Sequence, residues 1–226
     1  MKIFKMQQVT PEWYEARRGV PTASEFGRIC TPAKGEPSKQ MEEYACELVG
    51  DLVCLNPAYF TEKGGPVNSY AIQNGLNLEP HARRWLAFDA GLDVHEVGFC
   101  MNDDFTLGCS PDGLLGLTIA QESGGTWNGH PWYEGTAEAV VELKCPLPKT
   151  QAQYLLRGEL PVEYRPQVHG HLLVTGAKYV EFVSYSDTLA PLRVRVEPDA
   201  YTEKLRAALV EFSRVFADVR HKLIGK

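Results

Sequence analysis

Three ionisable residues in two short stretches have the types and spacing of a divalent-cation site. Asp112 lies in the turn "SPDG", between Pro111 and Gly113, and Glu142 and Lys144 lie two apart in the apolar run "VVELKCP". Residues i and i+2 of a strand share a face, so Glu142 and Lys144 are expected to project together. If the two stretches pair as strands, Asp112 and Glu142 can reach a common oxygen-ligand site of the kind that Mg²⁺ prefers. Such a site could hold the cation against a phosphate.

Both stretches also have ordinary structural explanations. An Asp-Gly turn is common, and a Glu and a Lys on a half-exposed strand can simply point into water. A buried central strand needs apolar residues, however, so two ionisable residues on one of its faces would need a functional reason. The two stretches alone leave the choice between a solvated surface and a metal site open.

The composition is that of a globular protein of 226 residues, a length that fits one domain over residues 1–226. No apolar run reaches the roughly 18 residues of a membrane span, and the amino terminus lacks the apolar segment of a secretion signal. The six cysteines include no Cys-x-x-Cys pair, which favours thiols in a reducing cytosol over a zinc knuckle or disulfides. A cytoplasmic location is therefore expected.

The formal net charge of −6 counts against a nucleic-acid partner, because phosphate binding favours a basic face. An acidic exterior can nevertheless coexist with a basic channel, and a metal-dependent nuclease carries an acidic cluster of its own. The charge therefore lowers the expectation of nucleic-acid binding without excluding it.

Capping signals predict two helices near the amino terminus. Thr10 and Pro11 suit the start of a helix that can end at Gly19. Thr22 and Glu25 form the capping-box pattern of a second helix.

The remaining periodicities predict the other helices and the strands. A helix is expected over about residues 68–90, with a kink or a fresh start at Pro80 and with Trp85, Leu86 and Phe88 as candidate core positions. Three central strand candidates are "VHEVGFCM", "TLGCSPDGLLG" and "AVVELKC", and two later ones are "YVEFVSYS" and "LRVRVEP". A terminal helix from Asp199 to His221 shows one apolar face, formed by Leu205, Leu209, Phe212, Phe216 and Val219. This order predicts an α/β fold with a central mixed β-sheet flanked by α-helices.

Five separated blocks of the chain carry a resemblance to a known family. They are "WYEARRGVPTASEF", "GLNLEPHARRWLAF", "CSPDGL", "ELKCP" and "YRPQVHGHLLVTG", and they span Trp13 to Gly176. In this order they resemble the family of phage lambda exonuclease and the YqaJ-like viral recombinases. That family belongs to the PD-(D/E)xK nucleases, whose core is restriction-endonuclease-like, so the resemblance implies this core here.

The resemblance implies a catalytic role for several residues of this chain. Asp112 and Glu142 match the main metal ligands, together with the backbone carbonyl of Leu143, and Glu79 matches an acidic residue that assists a second metal ion. Two Mg²⁺ ions per active site are implied, for which Mn²⁺ can substitute. Lys144 matches the residue that positions or deprotonates the attacking water, and Gln167 matches a glutamine near that water or the scissile phosphate. Beside two cations, Lys144 is expected to have a lowered pKa.

Other residues match positions that contact the DNA substrate. Arg17 and Ser24 match a pocket for a 5′-phosphate, whereas the structural alternative for Arg17 is a solvated helix charge. Lys34 and Lys39, in a Pro- and Gly-rich loop, are candidates for contacts with the DNA backbone. Residues 118–138 are expected to form a hairpin or flap whose aromatic residues stack on bases or pack against a neighbouring subunit; these are Trp127, Trp132 and Tyr133.

The resemblance implies a Mg²⁺-dependent 5′-to-3′ exonuclease that digests one strand of linear double-stranded DNA from 5′-phosphorylated ends. The products would be mononucleotides and 3′ single-stranded tails, used in recombination by a single-strand annealing protein. A homotrimeric ring and a phage or prophage origin are also implied. The alternatives are an endonuclease of the same fold and a catalytically inactive DNA-binding module. His169 and His171 are not expected to share a zinc ion, because residues i and i+2 of a helix diverge.

Overall fold

A computed structural model describes residues 1–54, 56, 70–91 and 93–225, except the side chains at positions 71, 72, 90 and 121–124. The helices are α1 (Pro11–Arg17), α2 (Met41–Val53), α3 (Tyr70–Ala90), α4 (Pro148–Arg157), α5 (Arg165–Thr175) and α6 (Ala200–Ile224), with 3₁₀ helices at Ala23–Arg28 and Val162–Tyr164. The strands are β1 (Lys2–Phe4), β2 (Val94–His95), β3 (Phe99–Met101), β4 (Gly108–Cys109), β5 (Gly113–Leu115), β6 (Thr118–Trp127), β7 (His130–Thr136), β8 (Ala139–Lys144), β9 (Tyr179–Ser184) and β10 (Leu192–Val196). No described helix is both long and apolar enough to cross a membrane.

The strands form two five-stranded sheets. The mixed sheet has the order β10-β9-β8-β5-β2, with β8 and β9 parallel and α4 and α5 in the crossover between them. The second sheet, β4-β3-β1-β7-β6, is antiparallel. The prediction of an α/β fold with a mixed sheet flanked by helices is confirmed, and the antiparallel sheet is an addition to it.

The second sheet arises because two of the expected strands are each divided. The stretch "VHEVGFCM" becomes β2 and β3, and "TLGCSPDGLLG" becomes β4 and β5. In both cases one half joins the mixed sheet and the other half joins the antiparallel sheet. The turn that carries Asp112 is therefore the point where the chain passes from one sheet to the other.

The mixed sheet is covered on both faces. Val141 and Leu143 pack with Ala82 and Leu86 of α3 on one face, as the alternation along β8 predicts. On the other face Val140, with Val180 and Phe182 of β9, belongs to the large core formed with α2, α5 and α6. A strand buried on both faces makes any ionisable side chain on it exceptional.

Helix α3 is a single helix that runs across Pro80, so the fresh start expected there is wrong. The expected start at residues 68 and 69 lies outside the described residues. Leu86 is fully buried and Trp85 is partly buried, but Phe88 is 91% exposed, so its assignment to the core is wrong. Phe88 follows Leu86 by two residues and thus points about 200° away around the helix.

The two amino-terminal capping signals have different outcomes. Thr10 caps α1 as predicted, because its Oγ1 accepts a hydrogen bond from the Trp13 amide at 3.4 Å. The capping box at Thr22 is wrong: the helix that follows is a six-residue 3₁₀ helix, and Thr22 makes no side-chain cap. Its hydroxyl instead accepts from the Arg17 guanidinium at 3.1 Å and lies 3.3 Å from the Ser24 hydroxyl.

The carboxy-terminal helix follows the prediction closely. Asp199 caps α6 in a capping box with Thr202, and the predicted apolar face packs on the core. Phe212 is 1% exposed and stacks on Tyr44 of α2 with ring centroids 5.4 Å apart. The α6 face thereby fixes the position of α2, which borders the cavity described below.

Residues 118–136 form a β-hairpin, β6 and β7, that is part of the antiparallel sheet through the pairing of β7 with β1. The hairpin turns at Asn128 and Gly129, whose φ angles of 48° and 83° are those of a two-residue turn with both central residues left-handed. Trp127 stacks on Phe105 with centroids 5.4 Å apart, and Trp132 meets the same ring edge-on. These tryptophans pack against their own chain, an arrangement that neither sequence-based alternative included.

A buried carboxylate ties the mixed sheet to the end of α3. Glu181 on β9 is 1% exposed and accepts hydrogen bonds from Arg193 and Arg195 of β10, and Arg193 also pairs with Asp89 of α3. Burial alone would raise the pKa of Glu181, but the hydrogen bonds from the two arginines outweigh it and hold that pKa below its ordinary value. The cluster therefore stabilises the folded state when Glu181 is ionised.

We expect the replacement Glu181→Gln to lower the free energy of unfolding at neutral pH by about 1.5–3 kcal/mol, the range for hydrogen bonds to charged groups. Because the pKa of Glu181 is lowered in the folded protein, its contribution is present at neutral pH and is lost as the pH falls through that lowered pKa. Urea unfolding at pH 7 and at a pH below the lowered pKa of Glu181 measures the difference, and Glu197→Gln, a change at an exposed glutamate, is the control. A destabilisation of equal size at both pH values would contradict this account.

Candidate active site

One cavity of about 570 Å³ brings the predicted site residues together. It opens between α1, the 3₁₀ helix Ala23–Arg28, α2, α3, the β4–β5 turn and the end of β8. Its lining includes all the residues proposed for metal binding, catalysis and 5′-phosphate binding, namely Arg17, Ser24, Glu79, Asp112, Glu142, Leu143, Lys144 and Gln167. Lys34 and Lys39 are exposed and lie outside this lining.

The Asp112 turn is held against β8 by two hydrogen bonds and against α3 by a third. The Asp112 amide donates to the Val141 carbonyl at 3.1 Å, and the Leu143 amide donates to Asp112 Oδ2 at 2.6 Å. Arg83 Nε of α3 donates to the Asp112 carbonyl at 2.9 Å. Strands β5 and β8 are paired next to this turn, so the pairing on which the expected site depended is confirmed.

Glu142 is a buried carboxylate in the middle of the mixed sheet. It is 1% exposed, so the alternative in which Glu142 and Lys144 simply point into water is wrong. Its Oε1 pairs with the Lys144 ammonium group, and its Oε2 lies 2.7 Å from Nε2 of His171. Glu142 and Lys144 therefore project together, as their i, i+2 spacing predicts.

Burial and mutual electrostatic interaction shift the pKa values of Asp112, Glu142 and Lys144. Burial, followed by the nearby Glu142 carboxylate, raises the pKa of Asp112 well above its ordinary range. Burial also acts to raise the pKa of Glu142, but Lys144 and His171 outweigh it and hold that pKa below its ordinary value. Burial lowers the pKa of Lys144, but the two carboxylates outweigh it and leave the pKa raised. The lowered pKa expected for Lys144 depended on two neighbouring cations, whereas its neighbours in this structure are anions.

Glu79 reaches the cavity from α3, together with an arginine that the sequence analysis did not single out. Arg83 Nη2 donates to Glu79 Oε1 at 2.6 Å, and its Nη1 lies 3.2 Å from Glu96 Oε2. With its bond to the Asp112 carbonyl, Arg83 joins α3 to the Asp112 turn. The i, i+4 spacing of Glu79 and Arg83 was a local signal for their pairing but not for the contact with Asp112.

His171 of α5 is a second site residue that the sequence analysis did not assign. It is fully buried, and its Nε2 faces Glu142 while its Nδ1 has no hydrogen-bond partner among the described residues. His169 turns to Thr202, 2.8 Å away. The expectation that the two histidines diverge is confirmed, but no sequence pattern indicated the partner of His171.

Arg17 lies at the other end of the cavity and forms a polar pocket with Thr22 and Ser24. Burial lowers the pKa of Arg17 to about 10, so it remains a cation at neutral pH. Within the described residues, no carboxylate lies within ion-pair distance of its guanidinium group. Arg17 is thus a half-buried cation beside two hydroxyl groups, with no ion-pair partner among the described residues. This environment favours binding of an anionic ligand over the alternative that Arg17 is simply a solvated charge on a helix.

Trp13 connects the two ends of the cavity. Its indole N–H donates to the Gly98 carbonyl at 2.9 Å and lies 3.0 Å from the Ser110 hydroxyl, two residues before Asp112. The Arg17 guanidinium carbon lies 3.8 Å from the centre of the Trp13 ring. Trp13 therefore contacts Ser110 near the Asp112 turn and Arg17 in the cationic pocket.

The donor set fits a hard divalent cation, although its members are occupied by other groups. Six carboxylates line the cavity, and the three nearest the backbone of β8 are Glu79, Asp112 and Glu142; Mg²⁺ prefers oxygen ligands of this kind. Among the described residues, however, no three acidic, His or Cys side chains converge as a ready metal site. Lys144 and His171 engage Glu142, and Arg83 engages Glu79. Cation binding would therefore have to displace the Lys144 ammonium group from Glu142.

Comparisons with known proteins give relatives that are similar over most of the chain. An alkaline exonuclease, LHK-Exo from Laribacter hongkongensis, is 27% identical, with a TM-score of 0.69 over 94% of this chain and 95% of that one. The same enzyme solved in complex with dAMP is similar at 26% identity with the same coverage and TM-score. A phage-related exonuclease from Haemophilus somnus 129PT, 10% identical, shares the fold, with a TM-score of 0.55 over 90% of this chain and 96% of that one. No curated protein gave a significant match.

The sequence pattern of the YqaJ-like viral recombinase domain matches residues 12–178. This range contains the Arg17 pocket, Glu79 of α3, the Asp112 turn, β8 and Gln167 of α5, so the match includes both ends of the cavity. The chain belongs to the YqaJ-like viral recombinase domain family.

Proposed function

We propose that this protein is a Mg²⁺-dependent 5′-to-3′ exonuclease that digests one strand of linear double-stranded DNA from 5′-phosphorylated ends. The products are mononucleotides and 3′ single-stranded tails. The observation that carries the proposal is that one cavity contains both the Asp112–Glu142–Lys144 cluster and the Arg17 pocket. An enzyme that recognises a terminal phosphate next to its reacting bond needs this arrangement.

The relatives support the nuclease part of the proposal. LHK-Exo is an alkaline exonuclease, and it has been solved with dAMP, a nucleotide with one phosphate. The family match covers most of the chain and includes every residue to which we give a role in the reaction. The mononucleotide products proposed for this protein are consistent with the binding of a mononucleotide, dAMP, by LHK-Exo.

Asp112, Glu142 and the Leu143 carbonyl are the proposed ligands of the first Mg²⁺ ion, and Glu79 assists the second. When bound, such ions activate the attacking water and stabilise negative charge on the phosphate, and Mn²⁺ can take their place. Burial and the Glu142 carboxylate raise the pKa of Asp112, and a cation held between the two carboxylates would lower it again, so we expect cation uptake to be accompanied by proton release.

The side chains of the cavity have separate tasks in this reaction. Lys144 carries a proton at neutral pH in the structure, and its displacement from Glu142 frees its ammonium group to orient the attacking water. Loss of that proton beside bound cations would make Lys144 Nζ the base that accepts a proton from the water. Gln167 lines the same cavity and is proposed to hold the water or the scissile phosphate. Arg17 and Ser24 bind the terminal 5′-phosphate, with the guanidinium group as the charged donor.

The assembly and the partners are carried over from the family resemblance. We propose a homotrimeric ring around the DNA and a single-strand annealing protein that acts on the 3′ tails, in a phage or prophage. Lys34 and Lys39 are proposed to contact the DNA backbone, because both are exposed on the loop before α2. Molar mass from light scattering, with and without duplex DNA, tests the trimer.

The test of the reaction uses linear duplex DNA labelled separately at its 5′ and 3′ ends, with Mg²⁺ or with a chelator. Early release of the 5′ label as a mononucleotide, only in the presence of Mg²⁺, is the expected result. Cleavage of closed circular DNA would identify an endonuclease of the same fold. Binding of DNA without any cleavage would identify an inactive DNA-binding module.

The replacement Arg17→Ala is expected to reduce the preference for 5′-phosphate over 5′-hydroxyl ends to nearly one. The physical reason is the loss of the charged hydrogen-bond donor, and such bonds contribute about 1.5–3 kcal/mol, or about 10- to 150-fold. Initial rates on matched duplexes that differ only in the terminal group measure the ratio. The control is Arg157→Ala at the exposed end of α4, and an undiminished preference in Arg17→Ala would contradict the pocket assignment.

A further inference from the structure

The tip of the β6–β7 hairpin binds the end of the helix that carries Arg17. Trp127 Nε1 donates a hydrogen bond to the Ala16 carbonyl at 3.0 Å, and Asn128 Nδ2 donates to the Glu15 carbonyl at 3.0 Å. Both carbonyls lie in the last turn of α1, where carbonyl groups run out of helical N–H partners, and the Glu15 carbonyl also accepts the Arg18 amide at 3.2 Å. The hairpin tip therefore adds two side-chain donors at the end of this short helix.

Helix α1 depends on such contacts for its position. It contains only seven residues, and a helix of this length is not stable without tertiary contacts. On its inner side it is held by the Trp13 bonds to Gly98 and Ser110. On the side of the hairpin, Trp127 and Asn128 donate hydrogen bonds to its last turn. Arg17 is the residue directly after the bonded Ala16.

The hairpin tip is itself firmly supported. The Asn128–Gly129 turn has the left-handed φ angles that give a tight two-residue connection. The Trp127 ring stacks on Phe105, at an interplanar angle of 20°. The ring of Trp132 completes the cluster, with Lys2 Nζ 4.6 Å from its centre. The tip is thus a fixed support, joined to the body of the antiparallel sheet.

We propose that the hairpin of residues 118–136 is a positioning element for the 5′-phosphate pocket. Its tip fixes the last turn of α1 and so holds the Arg17 guanidinium group where the terminal phosphate binds. Trp127 and Asn128 are positioning residues, because they touch the backbone of α1 and not the cavity described above. This inference rests on the proposed function, since it assumes that Arg17 selects phosphorylated ends.

The inference separates end selection from the chemical step. The cluster of Asp112, Glu142 and Lys144 is positioned by α3, α5 and the mixed sheet, and not by the hairpin tip. A loosened tip should therefore lower the rate on 5′-phosphate ends and leave the rate on 5′-hydroxyl ends nearly unchanged. A general loss of folding would instead lower both rates together.

The experiment compares initial rates on 5′-phosphate and 5′-hydroxyl duplexes for the full chain and four variants. Trp127→Phe keeps an aromatic ring on Phe105 but removes the N–H donor, and Asn128→Gly removes the amide at a backbone position that glycine accepts. The third variant combines both changes. Trp132→Phe is the matched control, because Trp132 belongs to the same aromatic cluster but its ring contacts are with Phe105 and Lys2.

Each single variant is expected to lower the phosphate-to-hydroxyl rate ratio by about three- to tenfold, the size expected for one lost hydrogen bond, and the combined variant, which lacks both bonds, by at least as much. Faster amide hydrogen exchange at Arg17 and Gly19 should accompany this loss, and Trp132→Phe should leave both readouts as in the unmodified chain. A combined variant with an undiminished ratio, or with equal losses on both substrates, would overturn the inference. If the combined variant does not fold, the same criteria apply to Trp127→Phe alone.

Failure of the proposed function gives a different result. An unmodified chain that cuts both kinds of end equally would contradict the phosphate pocket itself, and the positioning role would fall with it. A normal preference that is lost in Arg17→Ala but kept in the hairpin variants would contradict the positioning role alone.

Discussion

The replacement Lys144→Ala is expected to lower the cleavage rate by about 10²–10⁴-fold, the range for loss of a positioned acid–base group. Binding of DNA ends and of Mg²⁺ should persist, because Asp112, Glu142 and the Arg17 pocket remain. Uptake of the cation should even become easier, since the Lys144 ammonium group occupies Glu142 Oε1 in the structure. Single-turnover cleavage and DNA binding measured in Ca²⁺ separate the two effects.

The matched control for this experiment is Lys149→Ala. Lys149 lies on α4, shortly after the end of β8, and is exposed. Its replacement therefore removes the same charge but from outside the cavity. If Lys144→Ala cleaves as fast as the unmodified chain, Lys144 has no part in the reaction. If the Lys144→Ala variant also loses affinity for DNA, Lys144 acts in substrate binding.

The replacement Glu142→Gln is expected to weaken Mg²⁺ binding by more than about 100-fold, since changes to groups that merely support metal ligands already cost 10- to 100-fold. The amide keeps the volume and can still hydrogen-bond with His171, so the buried strand should remain folded. Cleavage should fall with the loss of the cation. Isothermal titration of the protein with Mg²⁺ measures the affinity directly, and thermal unfolding checks the fold.

Glu138→Gln provides the comparison for Glu142→Gln. Glu138 directly precedes β8, is exposed, and pairs with Lys178 at 3.5 Å, so its neutralisation removes one acidic charge from the same strand region without touching the cavity. Unchanged Mg²⁺ affinity in Glu142→Gln would exclude Glu142 as a ligand. Absence of Mg²⁺ binding even in the unmodified chain would favour the DNA-binding module over the enzyme.

Patterns that depend on neighbouring residues were predicted well from the sequence. The cap at Thr10, the apolar face of α6 and the shared face of Glu142 and Lys144 each follow from the period of one element. The prediction at Thr22 failed although its pattern was equally clear. A hydrogen bond from Arg17 engages the hydroxyl that the capping box required.

Residues that act through distant partners were not predicted. His171 meets Glu142 across 29 positions, and Arg83 meets the Asp112 carbonyl across 29 positions. Trp127 binds α1 across 111 positions. A histidine in an apolar helix or an arginine in a charged helix carries no local mark of such a partner. Phe88 shows the same limit, because the packing of α3 decides which of its apolar residues are covered.

The sequence by itself determined the fold class, helices α1, α3 and α6, strands β8, β9 and β10, and the types and local spacing of the groups in the cavity. These properties follow from short-range periodicity, capping and the alternation of strand faces. Only the tertiary structure decided that the chain changes sheets at the Asp112 turn, that Glu142 is buried between Lys144 and His171, and that the hairpin tip supports Arg17. Those contacts join segments far apart in the chain, and their pairing depends on how the packed layers come together rather than on the pattern within any one element.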